Sequence, residues 1–147
     1  MIGSALHNVL YVLTGPDRRH IETAIAMGFA VDETVDWPSA YVAGVVEHHD
    51  QWQWNQPFVT YAELLDRSRA LRDVVQTHLD HWLRAVDQVP DDSAALVISS
   101  GGSIEPVLVA TSPTSDFASW GSALHQLEGA TLTFEGSRCV DLVVRRH

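Results

Sequence analysis

The chain has 147 residues, 46% hydrophobic and 19% charged, with 9 basic against 19 acidic side chains and a net charge of −10. A chain of that length buries roughly 68–70% of its unfolded surface and needs no covalent staple, and its composition is that of a soluble globular protein. The charge excludes a basic footprint for nucleic acid or anionic membranes, and the single cysteine, Cys139, excludes an internal disulfide or a cysteine-rich zinc site.

Every fixed side-chain cation is an arginine, because the chain has no lysine. The opening "MIGSALHNVL" leads into a strand with little preamble and has no basic-then-apolar leader pattern, and no apolar run reaches membrane-spanning length. The expectation is a cytoplasmic protein. Residues 8–15, "NVLYVLTG", are an apolar run ending in glycine and read as a buried strand. "PDRRHIETAIAMG" reads as a helix. Pro16 and Asp17 suit its first turn, Ile21, Ala24 and Ile25 its apolar face, and Gly28 its end. A short strand near Phe29 to Val31 and a long loop with three Trp and two His follow.

Thr60 and Glu63 have the spacing of a capping box. From there Leu64, Leu71, Val75, Leu79, Trp82 and Val86 share one face, predicting a single helix to about residue 88. A strand over Ala94 to Ser99, a glycine turn and a helix to about Ala110 come next. "ATLTFEGSRCVDLVV" reads as a hairpin turning at Glu135-Gly136, with Cys139 a small buried side chain in it. The order predicts one α/β domain over 1–147. It would be a three-layer sandwich, with a mainly parallel sheet, helices on both faces and a C-terminal β-hairpin. In such sheets ligands bind beyond the carboxyl ends of the strands. The loops Thr14–Arg19 and Ser99–Ser103 therefore carry the candidate site.

Both loops resemble the histidine phosphatase (phosphoglycerate mutase-like) superfamily. "LTGPDRRHIETA" is similar to the family's Ser-Pro-Leu-x-Arg-Ala-x-x-Thr-Ala signature, with Pro16, Arg19, Thr23 and Ala24 at matching offsets. "LVISSGGSIEPVLVA" is similar to its later Val-Ser-His-Gly-Gly-x-Ile element, through Ser99, Gly101, Gly102 and Ile104. The resemblance extends from about Asn8 onward. It carries over Arg19 cleanly; with the two loops this gives an anion-binding candidate set of Thr14, Arg18, Arg19, Ser100, Gly101 and Gly102, and no cofactor or metal is expected.

The departures bear on the chemistry. The family's nucleophilic histidine sits in an Arg-His-Gly triplet that this chain lacks, along with the strand that would carry it. Its second histidine falls at Ser100. Phosphoryl transfer to an enzyme group needs a nucleophile with an available lone pair near neutral pH. A serine hydroxyl with no base beside it to take its proton is only a weak nucleophile. Arg19 can still pair with a phosphate as a planar fork.

The remaining catalytic candidates are His20, which follows Arg19, and Glu47, His48 and His49 in the Trp-rich loop with Asp50, Trp52 and Trp54. His78 borders the apolar stripe of the long helix, and His81 leans to solvent. Three roles stay open. The first is a degenerate, catalytically impaired phosphatase-like domain that binds a small or phosphorylated ligand or regulates a partner. The second is an enzyme that uses the same pocket on another substrate, or an active phosphomonoesterase with atypical residues. The third is a homodimer or other assembly that covers the face left by the missing strand.

Overall fold

The computed structural model describes residues 8–147. The expected lead-in over residues 1–7 lies outside them. The described chain is mixed α/β, with a parallel sheet and a C-terminal antiparallel hairpin. It divides into two compact units, residues 8–38 with Thr77–Ser100, and Ser39–Gln76 with Gly101–His147.

The first unit is built on β1, Val9–Thr14. It lies between β2 (Glu33–Thr34) and β3 (Ala94–Ile98), parallel to both. The pairs Thr14↔Thr34 and Thr14↔Ile98 bring all three carboxyl ends level. A central parallel strand is covered on both faces and so reads as an apolar run; Val12, Leu13 and Thr14 are buried accordingly. Leu10 is the exception at 61% exposed. The β1–β3 register skips it, pairing Val9 with Ala94 and Tyr11 with Ala95, so the bulge turns it outward. The expected strand at Phe29 to Val31 forms later and shorter, at β2. Asp32 makes the transition, its carboxylate accepting the Val12 N–H at 2.8 Å.

Helix α1, Arg18–Ala26, buries His20 and Ala24, four residues apart on one face. Ile25, expected on the apolar face, is 63% exposed because the buried stripe runs along His20 and Ala24 instead. Gly28, at φ 94°, closes the helix in a Schellman motif. Its N–H bonds the Ile25 carbonyl, and the Phe29 N–H bonds that of Ala24. Val12, Ala24 and Ile98 form the core, with Val9, Met27, Phe29, Val31 and Leu96 packed against it. In the same unit Tyr11 and Arg84 both donate to Glu33 Oε1, each at 2.6 Å. His78 is fully buried rather than at the stripe's border. Its Nε2 lies 2.7 Å from the Pro38 carbonyl, and its ring stacks on Trp37 with centroids 4.6 Å apart.

The predicted long helix is two helices, α2 (Pro57–Arg67) and α3 (Arg69–Val86). Pro57 opens α2, so Thr60 lies inside the first turn and its hydroxyl bonds back to the Gln56 carbonyl. Ser68 is extended between the helices and accepts the Leu71 N–H at 3.1 Å, an N-cap for α3. Arg72 turns back and donates to the Leu65 and Asp66 carbonyls, which α2 leaves unsatisfied.

The second unit holds α2, the first part of α3, and α4, Gly101–Thr111. α2 packs on α4 through a buried core that includes Phe58, Tyr61, Leu65, Val107 and Leu108. Pro106 sits inside α4 and has no N–H for the Gly102 carbonyl; the Tyr61 hydroxyl reaches that carbonyl instead, at 3.5 Å. The hairpin pairs β4 (Gly129–Glu135) with β5 (Arg138–Arg145) across a turn with Gly136 at φ 60°. A register shift after Thr133 turns Val140 outward. Cys139 is half-buried, not the fully buried side chain expected. Its thiol donates to the Asp141 carbonyl at 3.3 Å.

Candidate functional site

The strongest site geometry in the first unit is the carboxyl edge of the parallel sheet. The hydrogen-bond ladder runs one residue beyond the strands on both sides of β1. Gly15 N–H bonds the Ile98 carbonyl at 2.9 Å, and Val35 N–H bonds the Thr14 carbonyl at 2.9 Å. The residue after β1 is thus bonded to the end of β3, at the edge where a sheet of this type takes its ligands. Thr14 is buried, its hydroxyl 3.2 Å from that of Thr34.

His20 folds back from the first turn of α1 over Gly15. A Cβ on Gly15 would lie 2.7 Å from His20 Nδ1 and 3.1 Å from the Trp37 ring. Only glycine admits imidazole and indole so close. His20 is 7% exposed, and among the described residues neither ring nitrogen has a hydrogen-bond partner. Burial, then the positive charge of Arg19, hold its pKa below the ordinary histidine value, against the smaller opposing effects of Asp17 and the Gly15 backbone. The result is a neutral imidazole offering one donor and one acceptor. Ser99, at the end of β3, also keeps a buried hydroxyl with no partner among the described residues.

Arg18 and Arg19 point elsewhere. Arg18 pairs with Glu22 at 2.8 Å and Arg19 with Asp17 at 3.2 Å, with side chains 91% and 67% exposed. Ser100 is half-buried at the end of the first unit.

Gly101, Gly102, Glu47, His48 and His49 belong to the second unit. His48 and His49 are exposed, their ring centroids 3.7 Å apart and that of Tyr41 4.7 Å from His48. Glu47 braces the loop, its carboxylate accepting the Gly44 N–H at 2.8 Å and its N–H bonding Asp50 at 2.9 Å. Among the described residues no group of three or more His, Cys, Asp or Glu is placed to hold a metal ion.

Sequence reasoning missed Glu105, the only charged side chain of α4, which is fully buried. Its Oε2 accepts the Leu124 N–H at 2.6 Å, and its Oε1 has no partner among the described residues. Burial pushes its pKa up to about 7, with the Leu124 N–H and the Arg146 charge pulling the other way. Gln51 is buried nearby on Gly102, where a Cβ would meet the Tyr41 hydroxyl at 3.0 Å and Gln51 Nε2 at 3.2 Å. One acid inside an apolar helical run, followed by proline, was the available signal. The second unit also carries a groove of about 330 Å³ between Leu65, Arg72, Val75, Val109, Pro113 and Phe117.

No helix among the described residues is long and apolar enough to cross a membrane. No family model, curated protein or solved structure matches this chain.

Proposed function

We propose that this chain is a degenerate histidine-phosphatase-like domain that binds a small ligand at the carboxyl edge of its parallel sheet and does not transfer phosphoryl groups. The observation that carries the reading is the direct pairing of β1 with β3, which sets the ends of the two motif-bearing strands side by side, joined from Gly15 to Ile98. In the family the strand bearing the nucleophile lies inside the sheet. Here the two motif strands are immediate neighbours in the sheet.

The chemistry of the edge agrees with binding. It offers the buried His20 imidazole and the Ser99 hydroxyl, both with free hydrogen-bonding capacity among the described residues. Among the described residues it offers no cation without a carboxylate beside it, since Arg18 and Arg19 are both paired. An anionic ligand has to take Arg19 from Asp17, which favours modest affinity for phosphate. A second reading, acid–base chemistry on another substrate, rests on the same neutral imidazole.

The test is titration of the protein with inorganic phosphate and with p-nitrophenyl phosphate, following the His20 ring nitrogens and the Gly15 amide by NMR. Binding shifts both signals without p-nitrophenol release. Turnover that disappears in Arg19→Ala overturns the proposal and restores phosphatase activity as the function.

A further inference from the structure

The second unit contains an acid that the proposed ligand site does not use. Glu105 is fully buried in the first half of α4 and reaches across to the backbone of Leu124, itself buried, at 2.6 Å. Leu124 lies in the stretch between the 3₁₀ turn at Phe117–Trp120 and β4. Arg146, just past β5, grips that stretch from outside. Its guanidinium donates to the carbonyls of Trp120 at 2.5 Å, Ser122 at 2.6 Å and Ala123 at 3.4 Å, and to Glu128 at 3.1 Å. Those donors are spent on the stretch, so the guanidinium acts on Glu105 only as a charge at a distance.

We propose that Glu105 is a proton-operated latch, closing the 121–125 stretch onto α4 when it carries a proton and releasing it when it ionises.

The reason is the imbalance of partners. A buried carboxylate is stable when several donors or a paired cation surround it. Among the described residues Glu105 has one donor, the Leu124 amide on Oε2, and none on Oε1. Among the described residues the titratable and charged groups coupled to it are the Tyr61 phenol from α2, which donates to the Gly102 carbonyl and whose proton is held firmly by burial, and the Arg146 charge from beyond β5. Tyr41 and Asp50, from the segment before α2, add negative potential at Tyr61, and Gln51 from the same segment packs on Gly102. α4 itself supplies no second charge. The protonated acid keeps the Leu124 bond through its carbonyl oxygen and loses the burial penalty. The ionised acid is relieved only by water, and water reaches it when the stretch lifts. His125 in that stretch lies against Trp52, ring centroids 5.3 Å apart and tilted by 55°, so release also separates these two rings.

The experiment is amide hydrogen exchange of the full chain at a series of pH values, corrected for intrinsic rates. Opening returns Glu105 to its ordinary value of 4.5 from about 7. Protection of the Leu124 amide is therefore expected to fall about tenfold per pH unit across that window and to stay level above it. Glu105→Gln abolishes the slope. Protection that is level throughout, or a slope that survives in Glu105→Gln, overturns the latch. Should the variant fail to fold, the Glu105 carboxyl carbon is titrated in the wild-type chain. A Leu124 protection slope that levels off at the carboxyl midpoint upholds the latch, and a slope that does not follow that midpoint, or a midpoint in the ordinary carboxylate range, overturns it.

Discussion

His20 rests on Gly15 at a distance no other residue at that position allows, since a Cβ there would stand 2.7 Å from the ring nitrogen. Gly15 is not in a left-handed conformation, so the constraint is one of space alone. Gly15→Ala is expected to push the imidazole off the sheet edge. The cost is about 1–3 kcal/mol of stability, the range for overpacking a filled interior. Urea denaturation measures the loss. NMR titration of His20 reports the displacement, with its pKa moving back toward 6.5 as the ring meets water.

The two buried histidines of the first unit predict a loss of stability in acid. Burial lowers the pKa of both His20 and His78 from 6.5. The unfolded chain therefore binds more protons below that pH, and stability rises with pH there. The contribution is complete above about 6.5 and is lost as pH falls below it. Unfolding monitored from the first unit is expected to show this slope, and His20→Leu to flatten part of it. An unchanged slope in the variant would remove His20 from the account.

Glu105 predicts the opposite sign in the second unit. Its pKa is raised from 4.5 to about 7, so the folded state holds the extra proton. Stability from this group is full below 4.5 and declines as pH rises to about 7. At ~1.4 kcal/mol per pH unit the decline amounts to about 3 kcal/mol. Denaturation at pH 5 and pH 8, read from probes in the second unit, gives the comparison.

Ser68 caps α3 through the Leu71 N–H at 3.1 Å. Ser68→Ala is expected to cost about 1 kcal/mol, and Ser68→Asp to preserve the cap. Equal stability of Ser68→Ala and wild type would show the bond adds nothing.

The proposed loss of phosphoryl transfer predicts no release of p-nitrophenol above the uncatalysed rate. Arg19→Ala, which removes an exposed side chain paired among the described residues with Asp17, is expected to change stability by less than about 0.5 kcal/mol. The same variant is expected to weaken any phosphate-dependent shift at Gly15.

Periodicity and punctuation in the chain were enough to place β1, α1, β3, α4 and the hairpin. Each is a local pattern: an apolar run for a covered strand, Gly28 for a helix end, an alternating pair around Gly136 for a turn. They did not place the break at Ser68. Apolar spacing runs through it on both sides, and only the extended backbone and the cap separate α2 from α3. The candidate site was half legible. The turns after β1 and β3 stand out by composition, and the pairing of Thr14 with Ile98 makes them neighbours. Which side chains occupy that edge was decided by packing. Arg19, singled out by motif spacing, turns to solvent and Asp17, while His20 fills the space that Gly15 leaves. Glu105 was least legible, because the charge state of a carboxyl depends on its solvation. Neighbours such as Leu124, Tyr61 and Arg146, far from it in sequence, set that solvation only once the chain has folded.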